Sequence, residues 1–567
     1  MLLVLLAACA GDPSGSDVVA DAPDTATPCT GAELPYDGVD NDCDPATPDD
    51  DLDGDGLLSA EDCDDANAAI GASEVPYDGV DNDCDPTTPD DDLDGDGFVA
   101  AEDCDDDNAT FGGPEVPYDG VDNDCDPSTP DDDLDGDGFV AAEDCDDADG
   151  SAWKDGAWPG SVETKDLEAF CDGYCTMEVE GHVWITLSDG TDLADLRCVT
   201  TVAGGVEISE NAWITSVAGL ASLVSVGGTL QISRNGGLTS LDGLESLRSV
   251  DGLMIFDQPT LSSVAALAGL TEISDSVWLS ETAIVDLDGL QGVTSLYNLT
   301  LDENPSLTSL AGLENLTEIG HDLVVTNNRW LTSMEALGAV TSVGAGVTLS
   351  GNSRLTSLAG LGSITRVPLL FVKQHPALTS LDGLAGLVEV GWMELENNES
   401  VTTLAPLAAL GTIAEDLTIT QMAGLSSLDG LQGLTTVPGN LTLRQNGGLR
   451  TLEGLDNLTS VGGDLAIADN GILESLVHLA ALSSVGGNME ISGSSLANLE
   501  GLEALGSIWL NLAIDRNILL RDLRDLYGLT RARDVAIRDN TGLGDETAEA
   551  LVAEIDSVTG RIDISGN

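Results

Sequence analysis

The sequence predicts a mainly β chain. A leucine-rich, right-handed β-solenoid is preceded by an acidic repeat region with little regular secondary structure. Three observations predict this. An apolar-x-apolar couplet recurs, mostly every 23 or 24 residues, from Val183/Ile185 to Ile562/Ile564. A second period, of 41 residues, fills residues 31–150 with Asp, Gly and Cys. All 11 Cys fall within the first 200 residues.

Fixed spacing in the range of the couplet is the signature of a solenoid. Leu441-Thr-Leu443, Leu465-Ala-Ile467 and Met489-Glu-Ile491 are three successive copies. Each couplet reads as a short strand with its two apolar residues inward and the middle residue outward. The Asn and Gly that follow are expected to supply turn conformations that other residues reach only with strain. The Leu425–Leu434 portion, with Leu at every third position, turns the chain through the remaining sides of the coil. One rung cannot bury its own apolar face, so neighbours must stack. About seventeen rungs at roughly 4.8 Å each predict a stack about 80 Å long. Over residues 176–567 the rungs resemble the leucine-rich turns of the receptor L domain, a ligand-binding β-solenoid. The resemblance carries no catalytic signature. Thr547–Ile555 has helical spacing and is expected to help close the last rungs.

The chain opens Met1-Leu-Leu-Val-Leu-Leu-Ala-Ala-Cys9. Leu6-Ala-Ala-Cys9 resembles the bacterial lipobox, which implies a signal peptide over residues 1–8 and lipidation of Cys9 in an exported protein. The apolar stretch is short and lacks a preceding Lys or Arg, which a start further upstream would explain. Residues 10–30 read as a flexible tether above the lipid. No later run reaches the length of a spanning helix, so membrane attachment is expected through the lipid alone.

Net charge is −84, from 102 acids and 18 bases. Residues 1–150 hold 48 of the acids and no base, and residues 151–567 carry the other 54 acids and all 18 bases. Such a segment repels nucleic acid and anionic membrane surfaces. Uncompensated, it also repels itself, so a cation partner is expected.

The compensation has a recognisable pattern. Three loops begin at Asp51, Asp92 and Asp133. Carboxylates at loop positions 1, 3 and 5 (Asp51, Asp53, Asp55; Asp92, Asp94, Asp96; Asp133, Asp135, Asp137) converge on one hard cation. Gly at position 6 permits the sharp turn, a backbone carbonyl comes from Leu57, Phe98 or Phe139, and Asp62, Asp103 or Asp144 closes the shell. This predicts Ca²⁺, although Asp in place of Glu at the last position shortens the reach. Flanking helices are not evident. A second acidic set surrounds Asn41, Asn82 and Asn123 and serves either another ion or local turns. The block resembles the metal-binding repeats of bacterial surface proteins and, more distantly, thrombospondin type 3 repeats.

Ten Cys besides Cys9 fit disulfides in an exported protein. Two registers are open. Cys29–Cys43, Cys63–Cys84 and Cys104–Cys125 is one; Cys43–Cys63, Cys84–Cys104 and Cys125–Cys145 is the other. Residues 151–200, with Trp153, Trp158, Cys171, Cys175 and Cys198, are expected to cap the solenoid that occupies residues 201–567.

Ligand recognition in such a stack falls on outward positions. Most of the column between the couplets is small or polar. Met254, Phe256, Trp278, Val324 and Phe371 are the exceptions and the candidate surface for a protein or glycan ligand. The four His (182, 321, 375, 478) fall in different rungs, and no nucleophile or phosphate motif appears, so an enzyme is not expected. The expected function is a lipid-anchored envelope protein, at the outer membrane or cell surface. A calcium-binding stalk would present a solenoid for recognition. The alternative is a structural envelope spacer without a specific ligand.

Overall fold

The computed structural model describes residues 154–567 apart from 169 and 188–192, together with scattered positions between 64 and 124. The chain divides into two compact units, Met1–Ala142 and Glu143–Asn567.

In the second unit the couplets become the strands of a long parallel sheet. Val206 pairs with Leu230, Leu230 with Leu253, Leu253 with Val277 and Val277 with Leu299. The same inward position continues through Leu323, Val347, Leu370 and Met393. It then runs through Leu417, Leu441, Leu465, Met489, Leu512 and Val535 to Ile562. The chain is mainly β, and this solenoid-like stack is its core. Parallel pairing begins at Asp155–Trp158, which pairs with Thr176–Val179.

Each rung has two further sides. One carries 3-10 turns such as Ala359–Leu361, Asp382–Leu384 and Val477–Leu479. The other carries two-residue parallel strands, for example Thr436–Val437, Ser460–Val461 and Ser484–Val485. These minor strands are not evident in the sequence, because two residues are too short to show alternation. In one rung Leu425, Leu428, Leu431, Leu434, Val437, Leu441 and Leu443 are all fully buried. Burial of a leucine side chain stabilises by about 1.5–3 kcal/mol, so the repeated Leu spacing is the driving force of the stack.

Two small motifs shape the turn side. The Ser357 hydroxyl oxygen accepts the Ala359 N–H at 3.1 Å, and Ser380 does the same for Asp382. This explains the Ser that recurs two residues before most of the 3-10 turns, a place that Thr403 and Asp522 fill elsewhere. Gly430 sits at φ +120°, where a Cβ would come within 1.9 Å of the Leu404 carbonyl oxygen. Its N–H donates to Gln432 at 2.9 Å.

In some rungs an Asn or Gly after the couplet does take the left-handed turn, as Asn327 (φ 58°), Gly351 (φ 69°) and Asn397 (φ 53°) do, but the Asn that recurs three residues past the couplet does not. That conformation belongs to the residue before it: Gln445 has φ 57° and Asp469 has φ 54°. Asn446 and Asn470 are instead fully buried. The Asn446 amide donates to the Ile419 carbonyl at 2.9 Å, and its side-chain oxygen accepts the Met422 N–H at 3.0 Å, both one rung back. Repeated rung after rung, this ladder satisfies backbone groups that the bend removes from the sheet.

At the start of the second unit Cys171 is bonded to Cys198. Cys175 is disulfide-bonded as well. Near the far end, Asp545–Glu554 is the one α-helix of the described residues; it overlaps the predicted Thr547–Ile555 and starts two residues earlier. Among the described residues no helix is long and apolar enough to cross a membrane.

Candidate functional site

Of the predicted calcium ligands, Asp92, Asp94, Phe98 and Asp103 fall on described residues. Asp51, Asp53, Asp55, Leu57, Asp62, Asp96, Asp133, Asp135, Asp137, Phe139 and Asp144 lie outside them, as does Cys9. In the Asp92 loop, Gly97 adopts φ +99°. A side chain would strain that conformation, so glycine is required there. The Gly97 N–H donates to the Asp92 carboxylate at 2.8 Å, and Asp92 is only 6% exposed. The turn thus folds a buried carboxylate back over the loop.

The loop's last carboxylate behaves differently on its two oxygens. Asp103 Oδ1 accepts the Asp105 N–H at 2.9 Å. Its Oδ2 is shut away from solvent with no hydrogen-bond partner. A buried carboxylate oxygen without a donor is costly, and a cation would relieve that cost. Gly112, at φ +87°, closes over the loop. A Cβ there would lie 2.9 Å from Phe98 Cβ and 3.2 Å from Asp103 Cβ. Among the described residues no three His, Cys, Asp or Glu side chains gather into one cluster.

The segments after the first and second loops fold alike. Asn67 N–H donates to the Asp64 carbonyl at 2.8 Å, and 41 residues on Asn108 donates to Asp105 at 2.7 Å. Ile70 and Phe111 donate to Asn67 and Asn108 in turn. Asn82 and Asn123, from the second acidic set, are buried. The Asn82 side chain accepts the Val75 N–H at 3.1 Å and donates to the Ala69 carbonyl at 3.3 Å. Its amide ties two distant stretches of the repeat together, which is a folding role.

Residues 22–49, 62–90 and 103–131 match a family described as "Putative metal-binding motif", whose label names copper. The N-terminal region therefore carries three metal-binding repeats of that kind. The second and third matched segments start at Asp62 and Asp103 and stop short of the Asp92 and Asp133 loops. The family's own pattern thus centres on the second acidic set and includes only the last carboxylate of a preceding loop. A comparison with curated proteins returned no match.

On the solenoid, the five candidate outward residues do not form one patch. Trp278 pairs with Met254 on one side and with Thr300 on the other. Its ring stacks on Phe256, with centroids 5.9 Å apart and planes 24° apart, and Trp278 remains 44% exposed. Val324 lies beyond Thr300, and Phe371 lies beyond Thr348. An intervening Thr separates each from the next, so only Met254, Phe256 and Trp278 come together. Phe371 is covered by its own neighbours: Trp392 packs edge-on at 5.1 Å, and the Lys373 ammonium lies 5.0 Å from its centroid.

Two shallow clefts flank these rungs and were not apparent in the sequence. One is lined by Asp257, Glu281, Glu303, Asn327 and Arg329. The other is lined by Glu272, Ser274, Tyr297 and Glu318, with Tyr297 stacked on His321 at 5.2 Å. The signal that would have found the first is the left-handed column itself, since Asp257, Glu281, Glu303 and Asn327 all have positive φ.

Proposed function

We propose that the acidic repeats bind Ca²⁺, and that an exported, lipid-anchored protein uses them to carry a solenoid that recognises a ligand at the bacterial cell surface. The observation that supports the metal reading is the Asp92–Asp103 loop. Gly97 turns it, Asp92 is buried within it, and the inner oxygen of Asp103 lacks a donor. Calcium fits better than copper because residues 31–150 contain no His and no Met. The available donors are carboxylate and carbonyl oxygens, which suit a hard cation, whereas copper favours imidazole and sulfur. The Cys of these repeats fit disulfides of an exported chain rather than thiolate ligands. Bound there, Ca²⁺ would offset the self-repulsion of an acidic segment that holds no Lys or Arg.

Calorimetric titration of the full chain tests this. Binding of at least three Ca²⁺ is expected, with at most weak heats from copper. Saturable copper binding without any calcium heat would overturn the assignment. The recognition reading is supported by the exposed Trp278 face. Its test is loss of ligand capture in Trp278→Ala at unchanged stability.

A further inference from the structure

Phe371 shows how this sheet holds a cation. The Lys373 ammonium lies 5.0 Å from the ring centroid, 2.6 Å from Glu394 and 3.8 Å from Glu396. Lys373 stands two residues after Phe371 on one strand, and Glu394 and Glu396 are their register partners on the next. Other rings on the solenoid lie under a guanidinium from an adjacent rung. Arg234 lies over Phe256 at 5.9 Å and pairs with Glu210 and Asp257. Arg354 covers Trp330 at 3.9 Å, and Arg531 covers Trp509 at 4.3 Å.

Trp278 occupies the corresponding strand position, with the cation and the nearer of the two carboxylates absent. Two residues on, the place of Lys373 is taken by Ser280, and the next strand supplies Thr300 and Asp302. The aromatic ring and a carboxylate are kept, but no Lys or Arg covers Trp278 among the described residues. Asp302 is held in place by Thr326 Oγ1 and by Asn327 Nδ2, the latter at 3.1 Å. Both bonds fall on Oδ1. The adjoining cleft is lined by Glu281 and Glu303, by Asp257, which pairs with Arg234, and by Arg329.

We infer that the Trp278 face docks a cationic side chain, guanidinium or ammonium, from a Lys/Arg-rich segment of a partner protein. The indole face attracts the cation and Asp302 supplies the counter-charge, as Phe371, Glu394 and Glu396 do for Lys373. Charge complementarity favours this occupant over an anionic one, because residues 151–567 carry 54 acids against 18 bases. The inference rests on the ligand-presenting reading above.

The test measures binding of a fluorescein-labelled peptide of alternating Gly and Arg to the full chain in saturating Ca²⁺. A neutral gluco-oligosaccharide serves as the second probe. Trp278→Ala leaves the protein's charge unchanged, so diffuse attraction to its acidic surface is the same in both proteins. Peptide affinity is expected to fall about fivefold in Trp278→Ala. It is expected to fall also in Ser280→Lys, which supplies the missing cation internally, and less in Trp278→Phe, which keeps a ring. Equal peptide affinity for wild type and Trp278→Ala would overturn the inference. Trp278-dependent binding of the oligosaccharide alone would replace the cationic occupant and leave the recognition surface standing. Trp278-independence with both probes would sink both.

Discussion

At the scale of single residues, Gly97, Asp103 and Trp278 carry the most. Gly97 at φ +99° has open space around its Cβ position, so its requirement is conformational rather than steric. Gly97→Ala is expected to strain the Asp92 turn and weaken one calcium site. Asp103→Asn should do so too, by removing the charge behind the unpartnered oxygen. Calorimetry that returns wild-type stoichiometry and affinity for both variants would refute their part in the loop. Trp278 lies outside the core, since Val277 and Leu279 fill the inward positions of its strand and are fully buried. Trp278→Ala should therefore change stability by no more than about 0.5 kcal/mol, as surface substitutions do. A steep fall in melting temperature would mean that the indole stabilises the fold through its stack on Phe256.

At the scale of the rung, the buried ladder that follows each couplet sets stability. Asn446→Ala strips the partners from the Ile419 carbonyl and the Met422 N–H at once. Each buried unsatisfied group costs about 1–3 kcal/mol, so chemical denaturation should show a loss of at least about 2 kcal/mol. One ladder position holds a histidine. His375 is fully buried, its Nε2 has no partner and its Nδ1 lies 3.2 Å from the Asn352 carbonyl oxygen. Burial disfavours the imidazolium, so its pKa is lowered from the ordinary 6.5. The unfolded chain therefore takes up the proton first as pH falls. The stabilisation is present above about pH 6.5 and is lost progressively as pH drops through the lowered folded value. His375→Asn, which restores the common ladder residue, should flatten the pH dependence of the melting temperature just below pH 6.5. An identical profile in the variant would show that other groups set it.

At the scale of the whole molecule, the two compact units have different means of support. The solenoid is held by stacked Leu, Ile and Val, and it contains none of the proposed calcium ligands. The acidic repeats have few apolar residues to bury, and by the proposal above they depend on metal and disulfides. Chelating Ca²⁺ is therefore expected to increase the hydrodynamic radius of the chain while leaving the β-sheet melting transition in place. A shift of that transition by several degrees on chelation would contradict separate stabilisation.

Much of the fold is legible in the sequence alone. The couplet spacing specifies a parallel stack, because a period of 23 or 24 residues leaves each rung with an apolar face only a neighbour can cover. The inward positions follow from the same alternation, and Gly97 follows from the Asp-x-Asp-x-Asp-Gly pattern. The ladder Asn is not the turn residue its position suggests, since a buried amide bridging to the previous rung and a left-handed turn residue leave similar traces in sequence. The expected five-residue apolar surface breaks up although the couplets give the column's order correctly. The observed register keeps Thr300 and Thr348 between the apolar positions, so Val324 and Phe371 each stand two strands from the nearest apolar member of the column. The pairing of Cys171 with Cys198 is likewise beyond counting, because cysteines far apart in the chain meet only once rungs stack. Periodicity determines what must be buried; only the stacked backbone decides what stands beside what on the outside.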